Sequence, residues 1–179
     1  MADDPRVSIV LETYNERENI LDTIQGIFEH VKQSVEVIVV DDDSPDETWK
    51  VAGALNDPRV KVIRFRRNFG QTAAMQAGID AARGDVIVTM DGDLQNDPVD
   101  IPRLVKRLLE EELDLVAGWR KDRKDNLIRK IPSRIANRLI GRITQVELHD
   151  YGCSLKVFRA NIIKNVRLYG EMHRFIPAW

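Results

Sequence analysis

The stretch of residues 84–95 constrains the fold more than any other part of this 179-residue chain. Residues 86–90 form a short, almost wholly apolar run, which is typical of a strand buried in a parallel sheet. The run leads directly into Asp91-Gly92-Asp93, and ligands of α/β sheets bind in the crevice outside the carboxyl ends of the strands. The two carboxylates are therefore candidate ligands of Mg²⁺ or Mn²⁺, with open positions for phosphate oxygens. On the tripeptide alone, an ordinary polar turn is the alternative.

Composition excludes several classes of protein. A net charge of −2 argues against a general polyanion binder, so nucleic acid is not an expected partner. The single cysteine, Cys153, rules out a disulfide framework and a cysteine zinc site, and it suits a reducing compartment. Residues 1–5 are acidic and polar, unlike a secretion signal, and no apolar run has the length of a membrane span. The apolar residues 175–179 close no recognisable element, which suggests the front part of a longer protein.

Strand and helix patterns alternate along the chain. Apolar strand patterns are predicted at 6–11, 35–40, 60–65, 86–90 and 113–119, and helices follow most of them, the last two at 98–112 and 160–166. This alternation predicts one domain over residues 1–179, with a mainly parallel, open α/β sheet flanked by helices. Neither G-x-G-x-x-G after the first strand nor G-x-x-x-x-G-K-[ST] occurs, which argues against dinucleotide and P-loop sites.

Two helix starts can be predicted from capping residues. Asn15 suits the N-cap of the first helix, and Ser44 with Glu47 matches a capping box for the second. Capping leaves Asp41 and Asp42 unexplained, although adjacent carboxylates at a strand end are unfavourable unless a cation or hydrogen-bond donors satisfy them.

A basic segment lies between residues 119 and 142, with nine lysines or arginines against two aspartates. Arg134, Arg138 and Arg142 recur at four-residue spacing beside an isoleucine-rich stripe, which predicts an amphipathic helix at about 131–143. Such a face is either simply solvated or suited to an anionic membrane surface.

Five motifs occur in an order that resembles a known family. They are Tyr14-Asn15-Glu16, Val40-Asp41-Asp42-Asp43-Ser44, Arg67-Asn68-Phe69-Gly70, Asp91-Gly92-Asp93-Leu94-Gln95 and Asp150-Tyr151-Gly152-Cys153-Ser154-Leu155. Together they resemble the inverting family 2 glycosyltransferases of the GT-A fold, most closely the polyprenyl-phosphate (dolichol-phosphate) glycosyltransferases. Two positions depart from the family pattern, with Glu12 in place of the usual proline and Asp43 in place of the usual glycine. Their negative charges beside the nucleotide pocket are expected to weaken donor binding.

The resemblance implies a role for several residues at the donor. Tyr14 would stack on the nucleobase and Glu16 would line the same pocket. Asp42 would accept a hydrogen bond from a base of the uridine type, although a guanosine donor is also open, and Arg67 would flank the nucleotide. Metal and donor diphosphate would lie at the turn after the fourth predicted strand, against Asp91, Gly92, Asp93 and Gln95.

The acceptor implied by the resemblance is a polyprenyl phosphate. Phosphate monoesters lose their second proton near pH ~6, so this nucleophile needs no strong general base at neutral pH. Arg120, Arg134 and Arg138 would position the acceptor, and Asp150 would orient it. Attack opposite the leaving group would invert the anomeric centre. The chain would act as a peripheral protein at the cytoplasmic face of the membrane, with the membrane helices usual in such relatives absent.

Three other functions are compatible with parts of the sequence. A transferase to a soluble hydroxyl acceptor would use Asp150 as general base. A module that binds nucleotide-sugars without turnover would have lost catalysis through Glu12 and Asp43, or through truncation. A nucleotidyltransferase would also use paired aspartates, but the glycine-rich basic loop expected after its first strand is missing. The donor sugar and the oligomeric state are not specified by the sequence.

Overall fold

The computed structural model describes residues 6–119, 150, 152–174 and 176. The strands are β1 (Val7–Thr13), β2 (Val35–Asp41), β3 (Val60–Arg64), β4 (Val86–Asp91), β5 (Leu115–Ala117) and β6 (Lys156–Arg159). They form a six-stranded sheet in the order β3-β2-β1-β4-β6-β5. The pairs β2–β3, β1–β2 and β1–β4 are parallel, which confirms the predicted mainly parallel sheet.

Helices cover both faces of this sheet. They are α1 (Ile20–His30), α2 (Thr48–Ala54), α3 (Gln71–Ala81), α4 (Ile101–Glu110) and α5 (Ala160–Ile163), with 3₁₀ turns at Pro98–Asp100 and Met172–Arg174. One apolar core joins α1, α2 and α4 to one face of the sheet. A second core joins α3 and α5 to the other face. The strands between them are buried on both sides, as the continuous apolar runs predict.

Helix α3 lies unusually close to the sheet. A Cβ atom added at Gly78 would stand 2.2 Å from Val10 Cγ1, too close for any side chain. The small residues of this helix, which include Ala74 and Gly78, permit this approach. The close approach brings the first residue of α3, Gln71, to the edge where β1 and β4 end.

The strand near the carboxyl end of the chain was not predicted. Residues of β6 pair antiparallel with β4 and with β5, and Lys156 at its start is paired with Thr89. Because β6 runs against β4, its first residue lies toward the carboxyl end of β4. The segment before β6 is thereby directed to the Asp91 turn.

Both predicted helix starts are wrong, because these loops make tertiary hydrogen bonds instead. Asn15 has a φ of 62°, and α1 begins at Ile20. The backbone N–H of Asn15 donates to Ser44 Oγ at 3.0 Å. Ser44 therefore caps the other loop rather than its own helix, and α2 begins only at Thr48. Glu47, the second member of the predicted capping box, has a φ of 63°.

The predicted basic helix at 131–143 lies outside the described residues, as do Arg120, Arg134, Arg138 and Arg142. In the part of the chain that is described, none of the helices has the length and apolar character needed to cross a membrane.

Candidate active site

The carboxyl ends of β1, β2 and β4 meet at one edge of the sheet. The strand register places Glu12 beside Asp91 and Thr13 beside Asp41. The loops that follow these strands carry most of the residues predicted to bind the donor. The predicted donor residues that lie on these loops, or on the loop after β3, are Tyr14, Glu16, Asp42, Arg67, Asp91, Gly92, Asp93 and Gln95.

Three consecutive backbone amides fix the loop after β1 to the loop after β2. The N–H of Asn15 donates to Ser44, that of Glu16 to Thr48 Oγ1 at 3.0 Å, and that of Arg17 to an Asp46 carboxylate oxygen at 3.1 Å. These side chains replace the helical hydrogen bonds that the sequence pattern had suggested. The two loops thus form one preformed wall of the site.

Asp42 joins three loops at the centre of this wall. Its backbone N–H donates to the carbonyl of Thr13 at 3.0 Å. Its carboxylate accepts from the N–H of Phe69 at 2.7 Å and from that of Gly70 at 2.8 Å. These bonds hold the loop after β3 against the loop after β2. A carboxylate has about four lone-pair sites, so a nucleobase N–H can still be accepted beside the two backbone donors.

Exposed aromatic rings stand on both loops that Asp42 connects. Tyr14 is 49% exposed and Phe69 is 53% exposed. The Arg67 guanidinium lies over the Phe69 ring at 4.6 Å from its centroid, and Phe65 meets the same ring edge-on. Phe69 was not among the residues predicted for the site, although it belongs to a motif that carried the resemblance. An exposed ring such as that of Tyr14, beside a buried carboxylate, suits stacking on a nucleobase.

The predicted roles of Tyr14 and Asp42 can be tested by donor affinity. We expect Tyr14→Ala to weaken binding of the nucleotide-sugar by about 1–3 kcal/mol, the usual value of one stacked base. Asp42→Asn should reduce discrimination between uridine and other bases. Calorimetry measures both, and Tyr169→Ala, which removes a 70% exposed tyrosine elsewhere, serves as the control. Unchanged affinity in both site variants would place the nucleobase elsewhere.

The turn after β4 is held in place through its backbone. Thr23 Oγ1 donates to the carbonyl of Gly92 at 3.3 Å, and a Cβ atom at Gly92 would stand 3.0 Å from Thr13 Cγ2. Asp93 Oδ1 accepts the N–H of Gln95 at 3.0 Å, which closes the turn. Glycine therefore separates the two aspartates because a larger residue would press on β1.

The carboxylates of this turn are suited to a divalent cation. Asp91 and Asp93 are both partly exposed, and the Gln95 side chain points to solvent. Within the described residues there is no cluster of three or more His, Cys, Asp or Glu arranged for a metal ion. Two carboxylates fit a cation that takes its remaining ligands from a diphosphate and water, as Mg²⁺ commonly does.

The motif that begins at Asp150 packs beneath this turn. Ser154 Oγ accepts from the Asn96 amide at 2.8 Å and from the backbone N–H of Asp91 at 3.4 Å. Thr89 Oγ1 donates to the Ser154 carbonyl at 3.1 Å. Asp150 itself is 6% exposed. These bonds connect the segment that contains Asp150, a predicted acceptor residue, to the predicted metal turn. The connection is made by Asn96 and Ser154, which were not predicted for the site.

Two buried ionisable side chains lie behind Asp91. Glu12 is 6% exposed, and neither of its carboxylate oxygens has a hydrogen bond of full geometry within the described residues, although the Gln71 amide lies near enough to favour the charged form. Burial, and then the charge of Asp91, raise the pKa of Glu12 well above its usual value, and the Gln71 amide and Lys156 offset this in part. Burial likewise lowers the pKa of Lys156, which donates to the carbonyl of Cys153.

Asp43, the second departure from the family pattern, has a local explanation. Its φ is 61°, a conformation that usually favours glycine but is tolerated by aspartate. Arg64 donates to its carboxylate at 3.1 Å and lies over the Trp49 ring at 4.6 Å from the centroid. The charge of Asp43 is thus paired with an arginine rather than left facing the nucleotide loop.

The buried Glu12 predicts a particular dependence of stability on pH. Above pH ~4.5 the unfolded chain loses a proton that folded Glu12 retains, so the free energy of unfolding falls as pH rises toward the raised pKa. Glu12→Gln does not titrate. We therefore expect the variant to match the wild type near pH 4.5 and to be more stable at pH 8. The difference in the free energy of unfolding between the variant and the wild type should therefore grow as pH rises above 4.5.

Urea unfolding at several pH values between 4.5 and 8 measures this effect. Glu29→Gln is the matched control, because Glu29 is exposed and bonded to Gln25 within α1. A constant difference between Glu12→Gln and wild type at all pH values would contradict the prediction.

Comparison with known proteins connects this site to one family. The profile described as "Glycosyl transferase family 2" matches residues 8–167. The chain is 55% identical, over 97% of its length, to dodecaprenyl-phosphate galacturonate synthase of Rhizobium johnstonii. It is 40% identical, over 96% of its length, to undecaprenyl-phosphate 4-deoxy-4-formamido-L-arabinose transferase of Yersinia pestis. It spans about half the length of these relatives, 53% and 54% respectively.

Solved structures show the same fold. Glucosyl-3-phosphoglycerate synthase from Mycobacterium tuberculosis in complex with UDP has a TM-score of 0.70 and 26% identity, over 89% of this chain and 58% of that one. The same enzyme has also been solved with Mn²⁺, UDP-glucose and phosphoglyceric acid, with a TM-score of 0.69, 24% identity and the same coverage. The predicted GT-A fold is therefore confirmed.

Proposed function

Since the chain belongs to glycosyl transferase family 2, we propose that it transfers a sugar from a nucleotide-diphospho-sugar to a polyprenyl phosphate at a membrane surface. The observation that carries the proposal is the meeting of the Asp42-linked loops and the Asp91–Asp93 turn at one edge of the sheet. The acceptor class is supported by the names of the two relatives, both of which refer to a polyprenyl phosphate.

The donor half of the reaction rests on the described residues. Tyr14 would stack on the base, Asp42 would accept its N–H, and Glu16 and Arg67 would flank the nucleotide. Glu16 has a preset orientation, because its carboxylate accepts from the Asn19 amide at 2.8 Å. The donor base is proposed to be uridine or guanosine.

We propose Mg²⁺ or Mn²⁺ as cofactor, held by Asp91 and Asp93 with Gln95 nearby. When bound, the cation would stabilise the negative charge that develops on the departing diphosphate. Gly92 would contribute to donor binding through the backbone of the turn, since a side chain at this position would face Thr13 rather than the donor. Lys156 lies among acidic groups and limits their mutual repulsion. The carboxyl groups whose charge opposes the effect of burial on the pKa of Lys156 are Glu12, Asp91 and Asp150.

In the acceptor half of the reaction, the protein would position the acceptor phosphate rather than remove a proton from it. A phosphate monoester is already largely ionised at neutral pH, so its oxygen can attack the sugar carbon directly. Arg120, Arg134 and Arg138 would hold this anion, and Asp150 would orient it. Attack from the face opposite the diphosphate would invert the anomeric centre. With a lipid acceptor and one buried cysteine, we place the reaction at the cytoplasmic face of a membrane.

A hydroxyl acceptor is the second candidate, and the burial of Asp150 favours it. Asp150 is 6% exposed and begins the motif that packs against the metal turn through Ser154, which supports a role as general base. With a hydroxyl acceptor, the rate should fall at low pH as this carboxylate is protonated. A module that binds nucleotide-sugars without turnover is the third candidate, and the buried carboxyl of Glu12 beside Asp91 favours it.

Turnover of a panel of nucleotide-sugars tests the proposal. Each donor is incubated with a short-chain polyprenyl phosphate, or with soluble hydroxyl acceptors, in the presence and absence of Mn²⁺. Lipid-linked sugar that forms with one donor and requires Mn²⁺ is the expected result. Transfer to hydroxyl acceptors alone would support the second candidate, and donor binding without any turnover would support the third.

A further inference from the structure

Gln71, the first residue of α3, contacts the predicted metal turn. Gln71 Nε2 donates to Asp91 Oδ1 at 2.9 Å, across 20 positions of sequence. Gln71 follows Gly70, whose φ of 91° turns the chain into the helix. The side chain is partly buried, so this bond is shielded from competing water.

The start of α3 is anchored from three sides, which fixes the Gln71 backbone. The N–H of Gly70 is held by Asp42 on one side. On another side, Thr72 Oγ1 and His173 Nδ1 lie 2.6 Å apart in a buried hydrogen bond. The close approach of Gly78 to Val10 sets the height of the helix above the sheet. Gln71 therefore reaches Asp91 from a rigid base.

The electrostatic surroundings explain why an amide suits this position. Glu12 lies beside Asp91 in the strand register, with its oxygens unsatisfied within the described residues. A cationic side chain at position 71 would repel a divalent cation, and a carboxylate would add to the crowding of negative charge. A neutral amide orients the Asp91 carboxylate without either effect.

We propose that Gln71 is a positioning residue that presents the Asp91 carboxylate to a divalent cation. The inference rests on the proposed use of a cation at Asp91 and Asp93. Groups that hydrogen-bond a metal ligand fix its orientation, and their loss commonly lowers metal affinity by about 10–100-fold.

The test is Mn²⁺ affinity in Gln71→Met, which keeps the length of the side chain and removes its donor. Mn²⁺ is titrated with saturating UDP, and separately with GDP, and free Mn²⁺ is followed by electron paramagnetic resonance. We expect about tenfold weaker Mn²⁺ affinity in the variant. Gln76→Met is the matched control on the same helix, since Gln76 bonds Asp80 and the N–H of Leu168 instead. Gln76→Met should lower the melting temperature and leave Mn²⁺ affinity unchanged.

A double-variant cycle separates positioning from a general structural effect. If Gln71 acts through Asp91, then adding Gln71→Met to Asp91→Ala should not weaken Mn²⁺ binding further, because alanine cannot accept the hydrogen bond from the Gln71 amide. Wild-type Mn²⁺ affinity in Gln71→Met, equal losses in Gln71→Met and Gln76→Met, or no Mn²⁺ binding by the wild type would each overturn the inference. Wild-type Mn²⁺ binding that depends on Gln71, without transfer to polyprenyl phosphate, would support the inference and refute the proposed function.

Discussion

Replacing either Asp91 or Asp93 by asparagine is expected to reduce sugar transfer by roughly a hundredfold or more. The negative charge on the departing nucleoside diphosphate would then no longer be stabilised by a firmly bound cation. Asparagine has nearly the same shape, and its carbonyl oxygen can still accept the hydrogen bonds from Gln71 and from the N–H of Gln95. The loss should therefore appear in the rate and not in the fold.

Initial rates at saturating donor, with thermal unfolding followed by circular dichroism, check this expectation. Asp97→Asn is the matched control on the same loop, because Asp97 accepts the N–H of Val99 at 3.0 Å at the start of a 3₁₀ turn. It should retain wild-type activity. Full activity of the wild-type protein in excess chelator would refute metal assistance.

The strands were predictable because their apolar runs report burial directly. Val86 to Met90 is buried on both faces, and the turn that follows lies where the sequence predicted it. The register of parallel strands then brings the ends of β1, β2 and β4 together without further information. The candidate site at that edge could therefore be located from the sequence, to the level of which loops contribute.

The loop conformations were not predictable from local patterns. Asn15 and Ser44 both have side chains suited to helix caps, but the backbone N–H of Asn15 donates to Ser44 Oγ across 29 positions instead. Local capping contributes only about 1 kcal/mol, so a few tertiary hydrogen bonds are enough to override it. The strand β6 was missed because it is only four residues long and begins with a buried lysine.

The residues that support the site were also hidden from sequence reasoning. Gln71 and Asn96 are ordinary polar residues whose partners, Asp91 and Ser154, lie far away in sequence. Glu12 did attract attention, as a departure from the family pattern. That its carboxylate is buried behind Asp91 became evident only from the pairing of β1 with β4.

The second large effect is expected from the basic segment at residues 119–142. Its role distinguishes a lipid acceptor from a soluble one. Replacing Arg134, Arg138 and Arg142 together by alanine is expected to weaken binding to anionic liposomes by roughly a hundredfold at low salt. Each basic residue near an anionic surface contributes about 1 kcal/mol, and three together give about 3 kcal/mol. Salt should release the wild-type protein from the same liposomes, because exposed charges are screened.

A triple variant on α4 provides a control with the same change of charge. Arg103, Lys106 and Arg107 are exposed and each pairs with an acidic residue of its own segment. Their replacement by alanine should change liposome binding little, because these cations are already neutralised by near neighbours. Sedimentation with liposomes at two salt concentrations compares the two triple variants.

Activity on polyprenyl phosphate decides what the basic segment does beyond membrane binding. Arg134→Ala alone should lower turnover more than it lowers liposome binding, because this arginine is proposed to hold the acceptor phosphate itself. An assay with detergent-solubilised acceptor removes the contribution of membrane binding to turnover. The loss of turnover that remains is then due to positioning of the acceptor phosphate. If the triple variant at Arg134, Arg138 and Arg142 turns over polyprenyl phosphate as fast as the wild type, the segment is an ordinary solvated face. The hydroxyl-acceptor reaction, with the buried Asp150 as general base, would then be the better account of this site.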